Sequence, residues 1–131
     1  MALNGTGQGN LNISSEYKSI TLKANNNINL LGGIVGGYDT LTVNSSPNLY
    51  TLTTLLNTTN GNFVVNLANG VVGQIKHFAL YTDGGNTDNS ANIIFNTINN
   101  TVNTITLNGP GNTLSLLYTP NKWVIIGGVY N

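Results

Sequence analysis

Apolar and polar side chains alternate with a period of two along most of this chain, and turn dipeptides interrupt the alternation at short intervals. A period of two is the signature of a strand with one buried face, whereas a buried helix needs a stripe repeating near 3.6 residues. No such stripe is present. Helix formers are also scarce, with five Ala, two Gln, one Glu, one Met and no Arg. The 25 Asn and 17 Thr reinforce the point, because their side chains compete for the backbone inside a helix.

The strands can be placed from the alternation. Residues Tyr17–Lys23, Thr40–Val43 and Leu49–Leu55 read as strands in the first half. Asn60-Gly61 introduces a strand over Asn62–Leu67, with Phe63, Val65 and Leu67 on one face. A long strand follows at Gln74–Tyr81, then Ala91–Phe95, Thr101–Leu107, Thr113–Tyr118 and Lys122–Val129. The separators, among them Asn69-Gly70, Asp83-Gly84-Gly85 and Thr119-Pro120-Asn121, accept positive φ or preset a turn. Many short strands at this spacing predict an all-β fold. The expected form is a single β-sandwich or jelly-roll-like domain of about eight to nine antiparallel strands. Residues 17–131 are expected to form that domain, with the Gly-, Asn- and Ser-rich residues 1–16 as a flexible arm.

Charge narrows the function. Only 6% of residues are charged, four Lys against four acids, and the formal net charge is zero. Nucleic-acid affinity rests on Lys and Arg displacing counterions, so a nucleic-acid partner is not expected. With 40% hydrophobic residues and no net charge the chain is not of the disordered class. No Cys is present, which excludes disulfides and thiolate ligands. No apolar run approaches the ~20 residues of a spanning helix, and the first residues do not read as a signal peptide. A soluble protein without a membrane partner is expected.

Catalytic material is thin. The acids are Glu16, Asp39, Asp83 and Asp88, and the lone imidazole is His77. A nucleophilic triad would need His77 with Asp39, Asp83 or Asp88 and a serine, but no nucleophile elbow is present. Alternation groups His77 with Ile75, Ala79 and Tyr81, which reads as a structural or surface position. The loop Thr82–Ser90 (TDGGNTDNS) has oxygens for a cation, yet lacks the EF-hand spacing and reads as turn chemistry. No catalytic residue, metal or cofactor is therefore expected, and the chain is expected not to be an enzyme.

Two features point to partners instead. Asn25–Gly37 (NNNINLLGGIVGG) carries Leu30, Leu31, Ile34 and Val35 without alternation on a glycine-rich backbone. These four are either a bent strand within the domain or a subunit interface, since an exposed apolar patch marks a partner. Aromatic rings also offer flat platforms for a sugar. Trp123, on the last strand with Ile125, reads as core, whereas Tyr17 and Tyr38, flanked by polar and Gly residues, are the expected ligand contacts.

From Leu49 to Gly128 the order of pieces resembles a β-domain of structural proteins in tailed phages and large DNA viruses. The pieces are Tyr50-Thr51-Leu52, Phe63 to Gly70, and a strand built on Gln-x-Lys after a glycine (Gly73-Gln74-Ile75-Lys76). Ile93-Ile94-Phe95, Thr113 to Tyr118 and a closing Lys122 to Gly127 complete it. The resemblance implies a tail-fibre, capsid-decoration or attachment role in a virion, without enzymatic activity. Its expected partners are further copies, a homotrimer above all, other virion proteins and a host-surface glycan. The alternative expectation is a monomeric carbohydrate-binding module.

Overall fold

The computed structural model describes residues 20–96 and 101–130. Residues 1–34 and 35–131 form two separate units. In the first, the described residues 20–34 hold no strand or helix and are exposed throughout. The strand expected at Tyr17–Lys23 is therefore absent over 20–23, where no neighbouring strand supplies a ladder; Tyr17 and the expected arm lie outside the described residues.

The second unit is all-β. Its strands are β1 (Tyr38–Leu41), β2 (Thr53–Asn57), β3 (Phe63–Asn66), β4 (Ile75–Thr82), β5 (Ala91–Asn96), β6 (Val102–Leu107), β7 (Thr113–Thr119) and β8 (Lys122–Val129). They form a five-stranded sheet in the order β1-β2-β4-β7-β8 and a three-stranded sheet in the order β3-β5-β6. The expected alternation holds along the strands: in β5 and β7 every second residue is buried.

The antiparallel expectation does not hold. β1–β2, β2–β4 and β3–β5 pair in parallel. Only β4–β7, β5–β6 and β7–β8 are antiparallel. The reason lies in what the turns join. Asn60-Gly61 leads from β2 in one sheet to β3 in the other, and the Asp83–Ser90 loop leads from β4 to β5 in the same way. Such turns are corners rather than hairpins. A chain that crosses to the second sheet and back meets its previous pass running in the same direction. From β1 to β5 the backbone therefore winds as a coil, and a parallel bridge between Ser45 and Val65 marks the first pass on the second sheet. β6, β7 and β8 then close the unit with antiparallel pairings.

Both sheets contribute to one hydrophobic cluster. Leu56, Phe78, Leu80, Leu114, Leu116 and Trp123 come from the larger sheet; Phe63, Val65, Ile93, Phe95 and Leu107 come from the smaller. Trp123 is core, as expected, with its indole edge-on to Tyr118 at 5.0 Å between centroids. Its Nε1 donates to Ala68 O at 2.9 Å, so the ring is buried without an orphaned donor.

The core assignment is testable by a pair of truncations. Ile93→Ala, at a fully buried β5 position, should lower unfolding free energy by about 2–5 kcal/mol in urea titration. Ile126→Ala, at a half-exposed β8 position, should change it by less than ~0.5 kcal/mol.

Candidate functional site

The β4 alternation sends Lys76 inward beside Phe78, although a lysine is seldom buried without a partner. Lys76 has no exposed surface. Its three ammonium protons find Asn48 O at 2.8 Å, Thr51 O at 2.9 Å and Thr51 Oγ1 at 2.9 Å. The carboxylate of Asp39 on β1 stands 3.7 Å away. That carboxylate is itself saturated. Oδ1 accepts from Thr51 Oγ1 at 2.8 Å and from Thr54 Oγ1 at 2.6 Å, and Oδ2 accepts from the Asn48 amide at 2.9 Å. A buried ion pair is tolerable only when its remaining hydrogen-bonding capacity is met in this way.

The titrations follow from that geometry. Burial pushes the Asp39 carboxyl up, but hydrogen bonds from Thr54, Asn48 and Thr51, with the Lys76 charge, outweigh it and hold the group below its ordinary value. Burial lowers Lys76, and the neighbouring Asp39 only partly opposes the shift.

The network, buried at Lys76 and partly open at Asp39, builds a wall. Asn48 and Thr51, which Lys76 grips, bracket Leu49 and Tyr50 in a tight turn. Tyr50 N donates to Asn48 Oδ1 at 2.9 Å, which fixes the turn from within. The Tyr50 side chain is left 94% exposed.

A second wall faces it. After β3 the chain runs Asn69-Gly70-Val71-Val72-Gly73, and Gly73 takes φ of 89°, a left-handed conformation open to glycine. Gly70 sits on the Trp123 ring: a methyl group added there would lie 2.7 Å from a ring carbon. Gln74 ties the two walls together. Its Nε2 donates to Leu49 O at 2.5 Å, and its Oε1 accepts from Val71 N at 3.0 Å. Between them lies an open cleft of about 510 Å³, lined by Leu49, Tyr50, Asn69, Gly70, Val71, Val72 and Gln74.

The structure redistributes the residues singled out by sequence. Tyr38 is exposed on β1, the outer strand of the larger sheet, outside the cleft lining. Tyr50, one of six tyrosines in the chain, lines the cleft. Leu30, Leu31 and Ile34 in the first unit, and Val35 in the second, are exposed and lie in no strand, unlike the bent strand that was one of the two expectations for them. His77 faces outward with Ile75, Ala79 and Tyr81, and its Nδ1 is 2.7 Å from Ser115 Oγ. Asp39 lies on the opposite, inward face with Lys76, so the sheet separates it from His77. In the Thr82–Ser90 loop Asp83 Oδ1 accepts from the Gly85 amide at 2.8 Å, the local turn chemistry its composition implies.

No protein-family model matches the chain, and no curated protein matches it.

Lys76→Met takes the ammonium donor from Thr51 O and the counter-charge from Asp39, and should cost about 3 kcal/mol by chemical denaturation. Asp39, depressed below 3.8 in the folded state, contributes stability that is present above that pH and lost as pH falls through the folded value. The melting temperature should fall on acidification below about pH 4. Asp39→Asn should be less stable at neutral pH and show a flatter acid limb.

Proposed function

We propose that this chain is a non-enzymatic structural or surface protein of a virus particle, built to assemble with further copies of itself. The observation that carries the reading is the run of exposed apolar side chains ahead of β1. Ile20, Leu22, Ile28, Leu30, Leu31, Ile34 and Val35 are each at least half exposed. Among the described residues, 20–36 enter no strand and make no hydrogen bond. A monomer that exposes such a run gains nothing from it, and water does not tolerate large contiguous apolar patches without consequence.

Charge supports a copy of the same chain as the cover. Lys23 is the one charged residue in 20–36, so like segments meet without strong repulsion. Strand β1 adds an edge: it pairs with β2 on one side and, among the described residues, with no strand on the other. Unpaired edges invite strand addition from a neighbour. The resemblance of residues 49–128 to viral structural domains supports the particle setting and favours a trimer.

Light scattering coupled to size exclusion, run over a range of concentrations, tests this reading. A trimer has three times the mass of one 13.8 kDa chain. The assembled mass should drop to that of one chain in a Leu31→Asp, Val35→Asp double variant. A wild-type chain that stays at 13.8 kDa at high concentration overturns assembly and leaves the monomeric carbohydrate-binding alternative.

A further inference from the structure

We infer that the cleft between the Asn48–Thr51 turn and the Asn69–Gly73 loop is a binding site for a neutral saccharide. The inference stands apart from the oligomeric state, because every residue lining the cleft belongs to one chain and to one unit. The volume of about 510 Å³ is within the range of roughly 300–1,000 Å³ typical of small-molecule sites.

The lining selects the ligand class. It contains no charged side chain. The nearby ammonium of Lys76 is buried beneath the turn and has given all three protons to protein oxygens. An anionic sugar or a phosphate therefore finds no cation to pair with, and its desolvation goes uncompensated. What remains is an uncharged mixture of flat apolar surface and amide groups. Tyr50 presents its ring almost wholly to solvent, and Val71 and Val72 are exposed in the opposite wall. Asn69 uses its Oδ1 to accept from Asn96 Nδ2 at 3.3 Å, which leaves its own amide protons for a ligand. A sugar ring has this same division, with C–H groups on one face and hydroxyls around the edge, so the ring stacks while the edge meets Asn69.

The walls are also fixed in advance. Tyr50 is exposed not because its loop is loose, but because Asn48, Lys76 and Gln74 hold the flanking backbone. Affinity is not spent on ordering the loop when the ligand arrives.

Trp123 supplies the readout, being the one tryptophan and lying against Gly70 beneath the cleft. Glucose, galactose, N-acetylglucosamine and the disaccharides lactose and maltose are titrated while Trp123 emission is followed. At least one should give a saturable change. In Tyr50→Ala, which removes an exposed ring and should leave the melting temperature unchanged, the apparent affinity should fall at least tenfold. Phenylalanine at the same position should restore most of it, because the ring face rather than the hydroxyl makes the contact. Absence of a saturable change with every sugar overturns the proposal, as does an undiminished response in Tyr50→Ala. So does a response to the apolar probe benzyl alcohol where the sugars give none. A drop in oligomer mass on Tyr50→Ala would make a second copy the occupant and equally overturn it, whereas the Leu31→Asp, Val35→Asp variant should bind sugar as the wild type does.

Discussion

A single ammonium group, Lys76 Nζ, holds together parts of the chain that the two sheets alone do not. It is buried, it reaches two backbone carbonyls and a hydroxyl in the Asn48–Thr51 turn, and it faces Asp39 on β1. The first coil of the backbone, β1 through the turn to β2, therefore closes on β4 through a side chain as well as through the ladder. Two residues earlier Gln74 does the same with neutral groups, taking Leu49 O on one side and Val71 N on the other. Because alternation places residues 74 and 76 on one side of the strand, both work on the same turn. Both walls of the cleft are tied to this pair.

The coil explains why such struts are needed. In a hairpin, adjacent strands are joined by a short turn that organises itself. Here each pass crosses to the other sheet and returns, so the connection from β1 to β2 and that from β3 to β4 run over the edge of both sheets. Side chains meet backbone amides off the ladders: Val64 N in β3 donates to Asn44 Oδ1, Ser90 N ahead of β5 to Asn62 Oδ1, and Thr59 N after β2 to Asn57 Oδ1. The abundance of Asn thus has a structural use, since a short amide reaches neighbouring backbone without adding charge.

Much of the fold was legible from the sequence, and the reason is local. Alternation grouped Phe63, Val65 and Leu67 on one face and read Trp123 as core, all four are buried, and the second-half strands lie within a residue or two of their expected bounds. The pairing was not legible. Asn60-Gly61 permits the same backbone angles whether it closes a hairpin or rounds a corner, so parallel and antiparallel partners look alike. The cleft was hidden for a similar reason. Tyr50 sits in a stretch that reads as a Thr-rich strand, and its exposure depends on contacts with Gln74 and Lys76 some 24 to 26 positions away. The Gln-x-Lys motif was visible as a pattern, but nothing in its spacing named the turn it grips. The four apolar residues Leu30, Leu31, Ile34 and Val35 were legible as a choice between a bent strand and an interface, and none of them lies in a strand.

Gln74 and Lys76 hold the two walls before any ligand is present. Backbone amide exchange followed by NMR, on the ligand-free protein, tests this most directly. The Asn48 and Val71 amides, which donate to Asp39 Oδ2 and Gln74 Oε1, should exchange slowly despite their surface position. In Gln74→Leu the Val71 amide should accelerate strongly while that of Leu80, donated to Asn112 O within the fold, stays slow. Exchange at Asn48 and Val71 as fast as in an unstructured peptide would contradict the account.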